Sequence, residues 1–123
     1  MLASSIGWIL VASGDITAAG GLPALLFPQP FLQLAFRVKN SDGLTAFLVR
    51  HWGVLIFVIG ALIVHSAYAP TARTSILTAA AIEKFAVVVL IFFGPVRRTM
   101  AMTAIAITDG VFAILYAAYL AGL

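Results

Sequence analysis

The sequence predicts an all-α fold: an integral membrane four-helix bundle, up-down and antiparallel, with an interfacial segment between the first two helices. Three observations predict it. Of the 123 residues, 63% are hydrophobic and only 9% charged, with a mean hydropathy of +1.16. A water-soluble domain of this length needs a polar skin that so few charges cannot supply, so lipid must solvate most of the chain. Next, four apolar stretches, about 2–22, 44–68, 75–93 and 99–122, reach the ~20 residues needed to cross the hydrocarbon layer. Finally, the last two connectors are short, which sets successive helices side by side in opposite directions. Residues 1–123 form a single transmembrane domain.

The first stretch is bounded by the Gly20-Gly21-x-Pro23 break. It has no Lys or Arg ahead of its apolar run and carries Asp15 within it, which argues against a cleaved signal peptide. The connector "LPALLFPQPFLQLAFRVKNSDG" is long and apolar, with prolines at 23, 28 and 30 and its charges gathered at the end. It reads as interfacial or partly re-entrant, with Phe27, Phe31 and Phe36 in the headgroup zone; continuation of the first helix beyond Pro23 is the alternative. In the second helix, Gly53, Gly60 and Val64 lie within about 80° of Arg50 on the helical wheel. That seam lets another backbone approach and turns Arg50 inward. "APTAR" closes the second helix and "GPVRR" the third, each carrying a helix-ending Pro or Gly. Ala79, Ala80 and Ala86 form a similar small-residue surface around Glu83. Trp8, Tyr116 and Tyr119 suit an outer aromatic belt.

Charge placement sets the orientation. Arg37 and Lys39 share a side with Arg97 and Arg98, whereas the other side has Arg73 and the chain ends. The positive-inside rule then puts the first and third connectors in the cytoplasm and both termini on the non-cytoplasmic side of the cell inner (plasma) membrane. The pI near 9.8 has the same origin, so nucleic acid is not an expected partner; the lipid bilayer is.

The absence of cysteine excludes disulfides, thiolate nucleophiles, Cys-ligated metals and iron–sulfur clusters. Asp15, Glu83, Lys84 and Asp109 all fall near the bilayer midplane, with Arg50 and His51 about two turns toward the cytoplasm and His65 near the outer end of its helix. A lone charge at the centre of a spanning helix costs roughly 2.5–3.5 kcal/mol, so these groups should face one another. Glu83 and Lys84 are adjacent and point about 100° apart, so each should find a partner on another helix. By sign, Lys84 suits Asp15 or Asp109, and Glu83 suits Arg50 or His51. Such pairs can serve only to fix helix register. "VRHWG" also offers an anion clamp in Arg50, a titratable base in His51 and a flat apolar wall in Trp52. No metal site is expected, because Lys84 would repel a cation held by Asp15, Glu83 and Asp109. A bis-histidine haem within one chain is argued against as well: His51 and His65 share a helix, about 21 Å apart along its axis.

The order of these features resembles the DoxX-like small four-helix membrane proteins. The resemblance spans nearly the whole chain and rests on Arg50-x-x-Gly53 with Gly60, on Glu83-Lys84, and on Asp109-Gly110 in "TDGVFAILYAAYLAG". It implies the four-helix membrane fold. The founding member's association with quinone-linked thiosulfate oxidation is not carried over, because no residue here matches a known catalytic site.

Three function classes follow as expectations. The first is a polar midplane site for a small amphipathic or quinone-like ligand. Arg50, His51 and Trp52 would form its cytoplasmic wall and Glu83, Lys84 and Asp109 its floor, with His51 or Glu83 exchanging protons in a proton-coupled redox step. The second is a proton-coupled small-molecule transporter using Asp15. The third is a non-catalytic subunit, in a homo-oligomer or a larger membrane complex.

Overall fold

The computed structural model describes residues 2–95 and 98–123. Their regular structure is helical: α1 (Leu2–Leu26), α2 (Pro28–Phe36), α3 (Gly43–Tyr68), α4 (Pro70–Phe93) and α5 (Met100–Leu120). Four of them (α1, α3, α4 and α5) are long and apolar enough to cross a membrane, the pattern of a multi-pass membrane protein. At 1.5 Å per residue even α5, the shortest, extends about 31 Å, matching a ~30 Å hydrocarbon core.

Two boundaries differ from the sequence reading, and proline explains both. Helix α1 runs through Pro23 to Leu26 instead of stopping near residue 22. Pro23 lies in the last turn, so it interrupts little of the hydrogen-bond ladder. Helix α4 begins at Pro70 instead of residue 75, because proline is preorganised for the first turn and needs no N–H donor there. The apolar connector contains its own short helix, α2, also started by a proline. Arg37 closes it in a left-handed conformation (φ 58°), its N–H bonded to the Gln33 carbonyl while Val38 N–H reaches the Leu32 carbonyl.

Side chains close three further ends. Asp42 accepts the Thr45 N–H at 2.7 Å at the start of α3. That bond holds the Asp42 carboxyl below the usual carboxylate range. The cap is therefore intact at neutral pH and is lost only as the pH falls through that lowered value. Thr99 caps α5 by accepting the Met102 N–H at 3.2 Å and donates its hydroxyl to the Ala35 carbonyl of α2. At the other end, Arg73 of α4 donates to the carbonyls of Ser66 (2.9 Å) and Ala67 (3.1 Å) in the last turn of α3, and to the Tyr119 hydroxyl of α5 (3.3 Å). One guanidinium thus satisfies orphan carbonyls and joins three helices. Arg73→Met is expected to cost roughly 1.5–3 kcal/mol, with Arg73→Lys recovering part of it, as read by thermal unfolding in detergent.

Packing is uneven among the helices. Helix α1 packs chiefly on α3, and α4 chiefly on α5. Glycines set the first contact: a Cβ on Gly14 would fall 2.8 Å from the Gly60 carbonyl oxygen, and one on Gly53 would fall 2.6 Å from that of Gly21. Such backbone proximity admits no side chain. Gly14 meets Gly60 and Gly21 meets Gly53 along this contact. Two apolar clusters sit at opposite ends of the molecule. Leu10, Ile63, Leu77, Ala80 and Tyr116 belong to one; Ala24, Phe31, Ala35, Ile91 and Met102 belong to the other. Leu2 N–H bonds to the Leu123 carbonyl at 3.3 Å, so both chain ends share the first cluster's end.

Candidate functional site

Between the two apolar clusters lies a polar centre built from three helices. Lys84 of α4 is completely buried, its ammonium 3.0 Å from Asp109 Oδ1 on α5 and 2.9 Å from Thr17 Oγ1 on α1. The ammonium also stands 5.4 Å from the centre of the Phe112 ring, a cation–π contact. One turn further along α1, Ser13 accepts the Tyr116 hydroxyl at 2.5 Å, with both groups buried. These bonds tie α1 to the α4–α5 pair, whereas the glycine contact ties it to α3.

The local sequence explains this geometry. Along α1 the buried positions are Ile6, Leu10, Ser13, Gly14, Thr17, Gly21 and Ala24, a stripe at three- and four-residue spacing. Ser13 and Thr17 belong to it as small polar residues and so face the partners of α4 and α5. The sequence reading singled out neither. Their signal was their place within that stripe, which charge alone does not mark.

The predicted site residues separate into two groups. Of the two partners open to Lys84 by sign, Asp109 takes it, while Asp15 is exposed on the opposite face of α1. Arg50 and His51 are exposed and border a shallow depression with Leu25, Phe47 and Val54. The expected pairing of Glu83 with Arg50 or His51 is not formed. The buried stripe of α3 is Gly53, Ile56, Gly60 and Ile63, and stepping back four residues from Gly53 reaches Val49, not Arg50. Val49 packs against the second cluster, and Arg50 turns about 100° away from it. Trp52 turns inward and stacks near Phe31 with ring centres 5.5 Å apart. Both Glu83 carboxylate oxygens are shielded without a hydrogen-bond partner, beside a lysine whose ammonium is already engaged. Tyr116 lies in the core, not in an outer aromatic belt, because its hydroxyl finds Ser13 there. Arg97 lies outside the described residues.

Two clefts flank Trp52, both between the α1–α3 pair and the α4–α5 pair. One, of about 230 Å³, lies over the polar centre: Thr17, Trp52, Ile56, Ile105, Asp109 and Phe112 are among its walls. The other, of about 290 Å³, is almost wholly apolar and lies toward α2. The first cleft combines a donor with an acceptor. The Thr17 hydroxyl accepts from Lys84 and keeps its own hydrogen to donate, and Asp109 bonds Lys84 through Oδ1, leaving Oδ2 to accept. A molecule with an apolar body and adjacent oxygen groups meets complementary chemistry there. The chain matches no family model, and it matches no curated protein and no solved structure.

Proposed function

We propose that this chain is a small integral protein of the inner (plasma) membrane that binds a small amphipathic, quinone-like molecule at the polar centre of its span. In this reading the long helices form an up-down antiparallel bundle with both termini on the non-cytoplasmic side, and the chain is DoxX-like in organisation. One observation carries the proposal: Thr17 and Asp109, both bonded to the buried Lys84, border a cleft whose other walls are apolar apart from Thr108. A group that served only to hold helices together would have no need to border a cavity.

Within this reading, Thr17 donates to a ligand carbonyl and Asp109 accepts from a ligand hydroxyl, so either oxidation level of a quinone is held. Lys84 orients the carboxylate. Glu83, unpartnered beside Lys84 and behind the cleft wall, is the group proposed to pass a proton to the bound quinone when a separate reductant, such as a reduced flavin or an iron protein, delivers the electrons. His51 lies apart from the cleft and has no part in it.

The test uses Trp52 as reporter. In a Trp8→Phe background it is the remaining tryptophan of two. A short-chain benzoquinone titrated into nanodisc-embedded protein should quench it saturably. Thr17→Val, which preserves size and the Lys84–Asp109 pair, should weaken binding about tenfold, the effect of losing one good hydrogen bond. Glu83→Gln should leave quenching and melting unchanged and slow reduction of the bound quinone by an added reductant, which supplies the two electrons. Non-saturable quenching indifferent to Thr17→Val would reject the site.

A second reading is favoured by a different observation: Asp15, Arg50 and His51 are exposed on lipid-facing helices. Charges so placed suit coverage by another copy or by a subunit of a larger complex. A monomer by light scattering after mild solubilisation, with no co-purifying chain, would argue against it.

A further inference from the structure

The second cleft has a chemistry of its own. It measures about 290 Å³ and is lined by aromatic and aliphatic side chains of α2, α3 and α4, among them Phe31, Phe36, Val49, Trp52 and Val87. Among the described residues its single ionic lining residue is Arg98, at the turn entering α5. Arg98 is exposed and stands over the Phe92 ring at 5.3 Å. Among the described residues no carboxylate comes within ion-pair distance of it, the ion pair present being Lys84–Asp109. The wall next to Arg98 is fixed, because the Thr99 hydroxyl bonds the Ala35 carbonyl and pins α2 to the start of α5.

We propose that this cleft binds a single-chain anionic amphiphile, its apolar chain against Phe31, Trp52 and Val87 and its acidic head on Arg98. The volume corresponds to about ten groups the size of a water molecule, room for one chain segment and not for the paired chains of a phospholipid. The charge at the mouth and the almost wholly apolar walls that the described residues form call for a molecule with one anionic end and an otherwise apolar body. The bidentate guanidinium suits a carboxylate or a phosphate equally. Trp52 separates this cleft from the polar one, so the two sites share a wall and no polar group. This inference therefore stands or falls apart from the reading above.

The experiment again reads Trp52 in Trp8→Phe protein, in nanodiscs of zwitterionic lipid. The probes are a long-chain fatty acid brominated along its chain, the matching brominated alcohol, and a phosphatidylglycerol with the same brominated chains. The ionised fatty acid should reach half-maximal quenching at about one-tenth the concentration the alcohol needs, the margin of one charge-assisted bond. Arg98→Gln should abolish that preference, Arg98→Lys should keep part of it, and Thr17→Val should leave it unchanged. Equal quenching by acid and alcohol, or a preference that survives Arg98→Gln, would overturn the proposal. Quenching by the phosphatidylglycerol as strong as that by the fatty acid would overturn the single-chain assignment.

Discussion

Lys84→Met protein is expected to lose about 3–5 kcal/mol of stability, whereas Lys84→Met combined with Asp109→Leu should return close to the parent. The asymmetry follows from where the charges lie. Lys84 is wholly buried, and Asp109 and Thr17 are its polar partners. Removing the ammonium leaves a carboxylate in an apolar span with no cation to face, and that uncompensated charge is what the single variant measures. Removing both charges leaves an apolar contact between α4 and α5, and such replacements of buried pairs are often neutral. Thermal unfolding in detergent, with the Asp109→Leu single variant completing the cycle, checks the claim. A double variant as unstable as the sum of the singles would mean that the two residues act independently.

The second large effect is expected at the glycine contact. Gly60→Val should destabilise by more than about 3 kcal/mol, above the usual range for overpacking, because the obstruction is backbone that cannot swing aside. A Cβ on Gly60 would fall 2.6 Å from the Gly14 carbonyl oxygen, with backbone atoms of Ala18 in the same space. The helices α1 and α3 would have to separate, and the polar centre loses Thr17 when α1 moves. Gly20→Ala is the control: a Cβ there meets nothing within 4 Å, although Gly20 sits in α1, the helix that packs on Gly60. Gly20→Ala should melt at or slightly above the parent, since alanine favours the helix by up to about 1 kcal/mol. Equal melting of Gly60→Val and the parent would contradict the close α1–α3 contact.

These expectations also mark what the sequence made legible. The four spans could be read because lipid solvation demands length and apolarity, and both are linear properties of a chain. That Lys84 must turn inward to an aspartate is readable for a similar reason, since a charge at mid-span must find an opposite one; which of Asp15 and Asp109 it meets is not. Facing was harder. Arg50 sits near Gly53 and Gly60 on a helical wheel, yet the stripe that packs is set by Ile56 and Ile63 together with the glycines, and it passes through Val49. In a helix apolar on every side, periodicity carries little information about which face is buried, because lipid accepts the same residues as the core. Ser13 and Thr17 went unnoticed because small hydroxyl residues are cheap anywhere in a spanning helix. Tyr116 was placed in an outer belt on composition, and only the position of Ser13 opposite it makes burial favourable.

A ligand in the polar centre is tested most directly by mass spectrometry of the organic extract from protein purified in mild detergent, comparing the parent with Thr17→Val. An amphipathic, oxygen-bearing molecule should be retained near one per chain by the parent and depleted in the variant. Extracts that contain only bulk membrane lipids, in the same proportions for both proteins, would contradict it.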